Sequence, residues 1–129
     1  RDYRTCIRLT MLKNENMCEA EDYAELINLG KPDFIELKSY VHVGASRIYY
    51  KQENMPTLEE MKIFMNSLLK YLPDYEFLRQ HSHSRSILLI KKSLNKKSWI
   101  NFPKFFEMIE KNQDFTTEDY CSEVIMPNE

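Results

Sequence analysis

The stretch PDFIELKSYVHVGASR, Pro32 to Arg47, constrains the fold more than any other part of the chain. Side chains alternate across a strand, so Phe34, Glu36 and Lys38 share one face while Ile35 and Leu37 share the other. One face packs, and the other turns polar toward the C-terminal end of the strand. In α/β architectures that end is where sites are assembled, and the loop that follows brings Gly44, Ser46 and Arg47 to the same rim. An edge strand with one wetted face has the same pattern, and periodicity alone does not separate the two.

Two glycines in 129 residues leave no room for a glycine-rich phosphate cradle, neither G-x-G-x-x-G nor a P-loop. The 43% hydrophobic and 12% aromatic content supplies the core of one domain. No apolar run approaches the roughly 20 residues that cross a bilayer, and RDYRT is not a signal-peptide profile, so a soluble, cytoplasmic chain without a membrane partner is expected. Cys6, Cys18 and Cys121 are odd in number and lack C-x-x-C spacing. Reduced thiols are expected, with no disulfide framework and no metal site.

Strand and helix patterns alternate along the chain. Arg4 to Lys13 sets Arg4, Cys6, Arg8 and Thr10 against Thr5, Ile7, Leu9 and Met11, a period-two strand. Met17 to Leu29 has helical spacing, with Gly30 in the C′ position and Pro32 preventing continuation. The second strand is Asp33 to Val41. Thr57 and Glu60 form a capping box that opens a helix whose stripe, Met61, Phe64, Met65, Leu68, Leu69 and Leu72, reads as core, and Pro73 ends it. Tyr75 to His81 and Arg85 to Lys91 are two strands flanking Ser82-His83-Ser84, and the run Ile87 to Ile90 suits a strand buried on both faces. A helix with Phe102, Phe105, Phe106 and Ile109 on its apolar side begins around Asn101 to Lys104, and a short one is capped by Thr116 or Thr117.

Charge is unevenly spread about a net −2. Arg79, Arg85, Lys91, Lys92, Lys96, Lys97 and Lys104 follow one another without an acidic residue, whereas the segment after Lys104 is acidic. A basic run of this kind tracks phosphates or forms a solvated loop, and Lys91, Lys92, Lys96 and Lys97 are the candidate RNA contacts.

RTCIRLTMLK, GKPDFIELK, NMPTLEEMKIF, LLKYLPDYEF, QHSHSRSILL and SWINFPKFFEMI ahead of FTTEDY, taken in order, resemble the C-terminal part of the tRNA 4-demethylwyosine synthases, the wyosine-forming radical S-adenosylmethionine enzymes. The similarity runs from Arg4 to Tyr120. VGASR is similar to archaeal members, and WINFPKFF and DY to eukaryotic ones, which points to a eukaryotic source. The resemblance implies an α/β fold: a partial (β/α) barrel fragment with a mostly parallel sheet, a hairpin and flanking helices, residues 1–129 being the wyosine-base-formation part. It implies a lyase of tRNA processing and wybutosine biosynthesis that joins 1-methylguanosine, beside the anticodon of phenylalanine tRNA, to a two-carbon unit of pyruvate. S-adenosylmethionine and 4Fe-4S clusters serve the full-length protein. The cluster motif C-x-x-x-C-x-x-C is missing here, so this chain is expected to bind neither and to be inert alone. A non-catalytic RNA-binding or interaction module is the alternative.

In such a barrel Arg8, Thr10, Glu36 and Lys38 share the cavity wall. Arg8 is expected to neutralise a carboxylate. Glu36 and Lys38 are expected to pair, as the catalytic residues or as a structural pair closing the barrel. The resemblance places the pyruvate-binding lysine upstream, which argues against a Schiff base at Lys38. Ser46, Arg47, His81, Ser84 and Arg85 are the remaining substrate- or cofactor-binding candidates, with His81 and Arg85 suited to stacking on splayed bases. The first strand is expected to be an open edge, permitting weak self-association.

Overall fold

The computed structural model describes residues 3–100, 102–110 and 117–123. Strand β1 (Cys6–Met11) is followed by helix α1 (Ala20–Gly30), strand β2 (Phe34–Ser39), helix α2 (Leu58–Leu69) and the hairpin β3 (Tyr75–His81) and β4 (Ser86–Lys91). Short β5 (Trp99–Ile100), α3 (Phe102–Glu110), α4 (Thr117–Tyr120) and β6 (Cys121–Ser122) complete the order.

The principal sheet has the order β1-β2-β4-β3. It is the expected α/β arrangement with a hairpin and flanking helices, but parallel pairing is confined to β1 and β2; β4 runs antiparallel to both β2 and β3. The expectation of a mostly parallel sheet is corrected by the hairpin. The crossover through α2 brings β3 back in the direction of β2, but β4, the returning arm, takes the place beside β2. β1 forms one edge of the sheet and β3 the other.

One face of the sheet packs on α1 and α2. Ile35, Leu37, Ile87 and Leu89 are fully buried there, against Ala24, Ile27, Met61, Phe64, Met65, Leu68 and Leu72. Helix α2 starts where its sequence directs: Thr57 Oγ1 accepts from the Glu60 N–H at 3.2 Å, and Glu60 Oε1 accepts from the Thr57 N–H at 3.0 Å. Helix α1 ends differently from expectation. Gly30 is its last helical residue, and Lys31 takes the left-handed conformation at φ 48, its N–H reaching the Ile27 carbonyl at 2.8 Å. Pro32 disfavours the right-handed helical region at the residue before it, so the chain leaves the helix at Lys31. The helix also begins at Ala20 rather than Met17, which instead packs part-buried against the core.

The opposite face carries a second, smaller apolar cluster near the start of β2, of Leu78, Ile90 and Leu94 with Phe34 and Leu88. The Ile87 to Ile90 run thus contributes to both faces, as expected, although Leu88 is half-buried. Arg4 closes that end of the face: its guanidinium lies 5.9 Å from the Phe34 ring centroid, pairs with Glu118 at 3.1 Å and donates to the Lys97 carbonyl. On α3, Phe106 and Ile109 are 58% and 50% exposed, so this half of the expected apolar side does not pack into the core. Asn101, Thr116 and the side chains of Phe102, Phe105 and Thr117 lie outside the described residues. Among the described residues no helix is long and apolar enough to cross a membrane.

Candidate active-site wall

Register converts alternation into a surface. Across the face away from α1 and α2, three tiers follow from the strand pairings: Cys6, Phe34, Ile90 and Glu76; then Arg8, Glu36, Leu88 and Arg79; then Thr10, Lys38, Ser86 and His81. Polarity rises tier by tier toward the C-terminal ends of β1 and β2, and Arg8, Thr10, Glu36 and Lys38 share one wall as expected.

The partners within the wall differ from expectation. Glu36 does not pair with Lys38. Arg8 approaches Glu36 Oε2 through Nε and Nη2, both at 3.2 Å, with side-chain exposures of 63% and 24%. Lys38 Nζ donates instead to the Ser84 carbonyl at 2.7 Å. Residues two apart on a strand are separated by roughly 6.5–7 Å, whereas directly paired residues on adjacent strands are about 5 Å apart, so the cross-strand arginine reaches the carboxylate first. Arg8 is therefore already neutralised by a protein carboxylate.

The β3–β4 turn orders the third tier. The Ser84 N–H donates to His81 Nδ1 at 3.2 Å, which leaves the proton of a neutral imidazole on Nε2. Ser84 Oγ lies 2.8 Å from that same nitrogen and 2.9 Å from Ser86 Oγ, so a chain of polar groups runs from His81 to the residue paired with Lys38. Arg85 adopts φ 50 in the turn, and its carbonyl accepts from the Ser39 N–H at 3.0 Å, tying the turn to the end of β2. Ser46 faces its own loop, not the wall: it accepts from the Tyr40 hydroxyl at 3.0 Å and donates to the Val43 carbonyl at 2.6 Å. Arg47 is exposed beside it.

A cavity of about 180 Å³ opens on the wall, lined by Glu36, Arg79, Gln80, His81, Ser86, Ile87 and Leu88. Sequence reading places Arg79 only in a basic run and misses it here. Burial pulls its guanidinium below the ordinary arginine range; Nη2 donates to Ser98 Oγ at 3.0 Å, and Nε has no hydrogen-bond partner among the described residues. Larger clefts of about 550 and 520 Å³ lie elsewhere, one between Lys13, Cys18 and α2, the other around Asn28, Lys31, Asp74 and Lys92. The wall is the better candidate despite its smaller volume, because titratable groups from three strands, β1, β2 and β3, converge on it.

The lysines of the basic run do not join this site. Lys91 is the last residue of β4, paired with Tyr75 and at the opposite end of the strand from Ser86, the partner of Lys38, which puts it about 17 Å along the strand from Lys38. It lies 3.7 Å from Asp33 and donates to the Lys31 carbonyl, and Lys96 lies 3.9 Å from Glu76. Lys92 and Lys97 are exposed.

Residues 29–91 match a family model described as wyosine base formation. The tRNA 4-demethylwyosine synthase of Oryza sativa subsp. japonica is 37% identical over 129 residues, covering 95% of this chain and 20% of its own length. The Schizosaccharomyces pombe synthase is 37% identical over 132 residues (92% and 19%), and the Mus musculus TYW1 synthase 35% over 130 residues (92% and 18%). Among solved structures, TYW1 with a lysine–pyruvate adduct bound superposes with a TM-score of 0.61 at 31% identity, over 70% of this chain and 28% of that one. Archaeal TYW1 gives 0.55 at 26% identity over the same shares. The chain spans about a fifth of the length of the curated relatives it matches, within their C-terminal part. By sequence and by fold it belongs to the tRNA 4-demethylwyosine synthase family, as the C-terminal part of such a protein.

Proposed function

We propose that this chain is the substrate-side wall of a tRNA-modifying radical S-adenosylmethionine enzyme that joins 1-methylguanosine of phenylalanine tRNA to a two-carbon unit of pyruvate, forming 4-demethylwyosine. The observation that carries the reading is the polar upper half of the sheet face, Arg8–Glu36 and Lys38–Ser84, at the C-terminal ends of two parallel strands, in a chain whose relatives are named for that synthesis.

The cofactors of the family are S-adenosylmethionine and iron–sulfur clusters. Cys6, Cys18 and Cys121 lack cluster spacing, burial raises the pKa of Cys121 against the thiolate that iron needs, and among the described residues no group of three or more His, Cys, Asp or Glu can hold a metal. These residues do not fit a cluster, and no step through one is assigned to them. In this reading the chain alone is inactive.

Its own residues position and protonate. Arg8 fixes the Glu36 carboxylate, which lines the cavity. A lysine ammonium has three N–H donors, and the Ser84 carbonyl takes one, leaving others for a carbonyl or carboxylate oxygen of the substrate. His81, with its proton on Nε2, is placed for proton transfer at the same rim. Lys92 and Lys97, at the far end of the sheet, are assigned to the body of the tRNA and not to the base, and the open β1 edge to weak pairing between copies of the isolated chain.

The test is Lys38→Ala and Glu36→Ala in the full-length enzyme, reading tRNA nucleosides by mass spectrometry and thermal unfolding on the same preparations. Loss of product with the melting temperature preserved is expected. Full activity in both variants removes the pair from the mechanism; a collapsed melting temperature with activity recovered on cooling makes it structural.

A further inference from the structure

We infer that the loop from Tyr40 to Asn54 is a preformed platform on which an unstacked RNA base lies against Tyr49 and Ile48, at the rim that also holds Lys38. The inference rests on the tRNA-modifying reading above and extends it to how the nucleic acid is held.

The loop is pinned from inside at both ends. Tyr40 is 6% exposed; its N–H donates to the Met11 carbonyl at 2.9 Å, its hydroxyl to Ser46 at 3.0 Å, and its ring meets Tyr50 edge-on at 5.6 Å. At the other end Asn54, 7% exposed, accepts from the Lys51 N–H at 2.8 Å and donates to the Lys13 carbonyl at 2.7 Å. Gly44, at φ +62, permits the turn between them. On the outside of this fixed frame stand Val43, Ile48 and Tyr49, 60%, 80% and 78% exposed. A single exposed apolar side chain is ordinary, but three on one short turn held rigidly by buried polar groups form a contact surface whose ordering cost is already met.

Charge identifies the partner. The loop's one carboxylate is Glu53, at its far end beside Asn54; from Ser39 to Gln52 there is no acidic residue, while His42, Arg47 and Lys51 interleave with the tyrosines. The β3–β4 turn, joined to this loop through the Ser39 to Arg85 hydrogen bond, adds His83 and Arg85 and no carboxylate. The chain as a whole is net −2, so a rim rich in cations and aromatic rings with carboxylate confined to Glu53 is a local arrangement and not a consequence of composition. Cations that track phosphates beside exposed rings that stack on bases are the features of a single-stranded nucleic-acid surface.

Fluorescence anisotropy of the chain with a labelled anticodon stem–loop RNA tests this. Tyr49→Ala should weaken binding about tenfold and Tyr49→Phe by less than about twofold, with a fully paired RNA bound more weakly than the stem–loop. Unfolding curves should be unchanged, since Tyr49 is exposed. The inference is overturned if Tyr49→Ala and Ile48→Ala bind as wild type, if paired and looped RNA bind equally, or if Tyr49→Ala abolishes self-association in sedimentation while RNA affinity stands. It fails separately from the proposed function: tyrosine-dependent binding with full activity of Lys38→Ala sinks the catalytic wall alone, and tyrosine-independent binding in an enzyme that loses product on Lys38→Ala sinks the platform alone.

Discussion

Neighbouring residues of β2 live under opposite rules. Ile35 and Leu37 are sealed beneath α1 and α2 with no exposure, whereas Glu36, which lines the cavity, and Lys38, on the same face of the same strand, take partners from β1 and the β3–β4 turn. The helix-covered face is a packing problem with many acceptable hydrophobic answers. The open face holds charges in fixed geometry around a cavity, which folding alone does not require. The pleat makes both from one segment, so any slip of register by one residue would bury Glu36 and expose Leu37.

The comparison breaks most visibly in stability. Leu37→Ala should destabilise the chain by about 2–5 kcal/mol, a transfer loss plus a cavity against packed α2, and Lys38→Ala by less than about 1 kcal/mol, since its single carbonyl contact can pass to water. Urea unfolding of the two variants side by side decides. Equal losses would make the open face part of the core and remove the contrast.

What the sequence made legible follows the same division. The faces of β2, the stripe of α2 and its Thr57–Glu60 capping box are local patterns, and the structure has them where alternation and helical spacing place them. The insertion of β4 beside β2 is a pairing between residues more than 45 apart in sequence, which no local pattern encodes. Glu36's partner was hidden for the same reason: Arg8 meets it only through the β1–β2 register. Arg79 was obscured by its neighbours, a cation counted in a run whose other members lie on the solvent side or at the far end of the sheet. Ser46 was placed at the site by its loop, but the Tyr40 hydroxyl two turns back claims it.

A sharper version of the contrast concerns the Arg8–Glu36 pair itself. With Arg8 63% exposed, it is a surface-type ion pair, and a double-mutant cycle with Arg8→Met and Glu36→Gln should give a coupling of about 0.2–1 kcal/mol that shrinks in high salt. A coupling of about 3–5 kcal/mol would instead describe a buried pair holding the sheet together, and the case for a functional wall would pass to Lys38 and His81.

The smallest effect is a pH dependence on the opposite side of the molecule, at the start of α2. Glu60 is hydrogen-bonded first by Lys13, at 2.8 Å, and then by the Thr57 backbone, and these contacts hold its pKa below the ordinary glutamate value of about 4.3. A carboxylate whose pKa is lower folded than unfolded contributes stability that is fully present above the unfolded value and is lost as pH falls through the folded one. In Glu60→Gln the amide oxygen still accepts from Thr57, so the cap survives, but the charge that answers Lys13 and the helix N-terminus is gone. The variant should therefore be slightly less stable than wild type at neutral pH and converge with it in acid, below the ordinary carboxylate range. Thermal melts across that range check it: parallel losses in the two proteins would mean that the Lys13 contact carries no weight in solution, while convergence shows a titrating group on the packed side of the sheet acting through stability alone, as a group on the open wall should not.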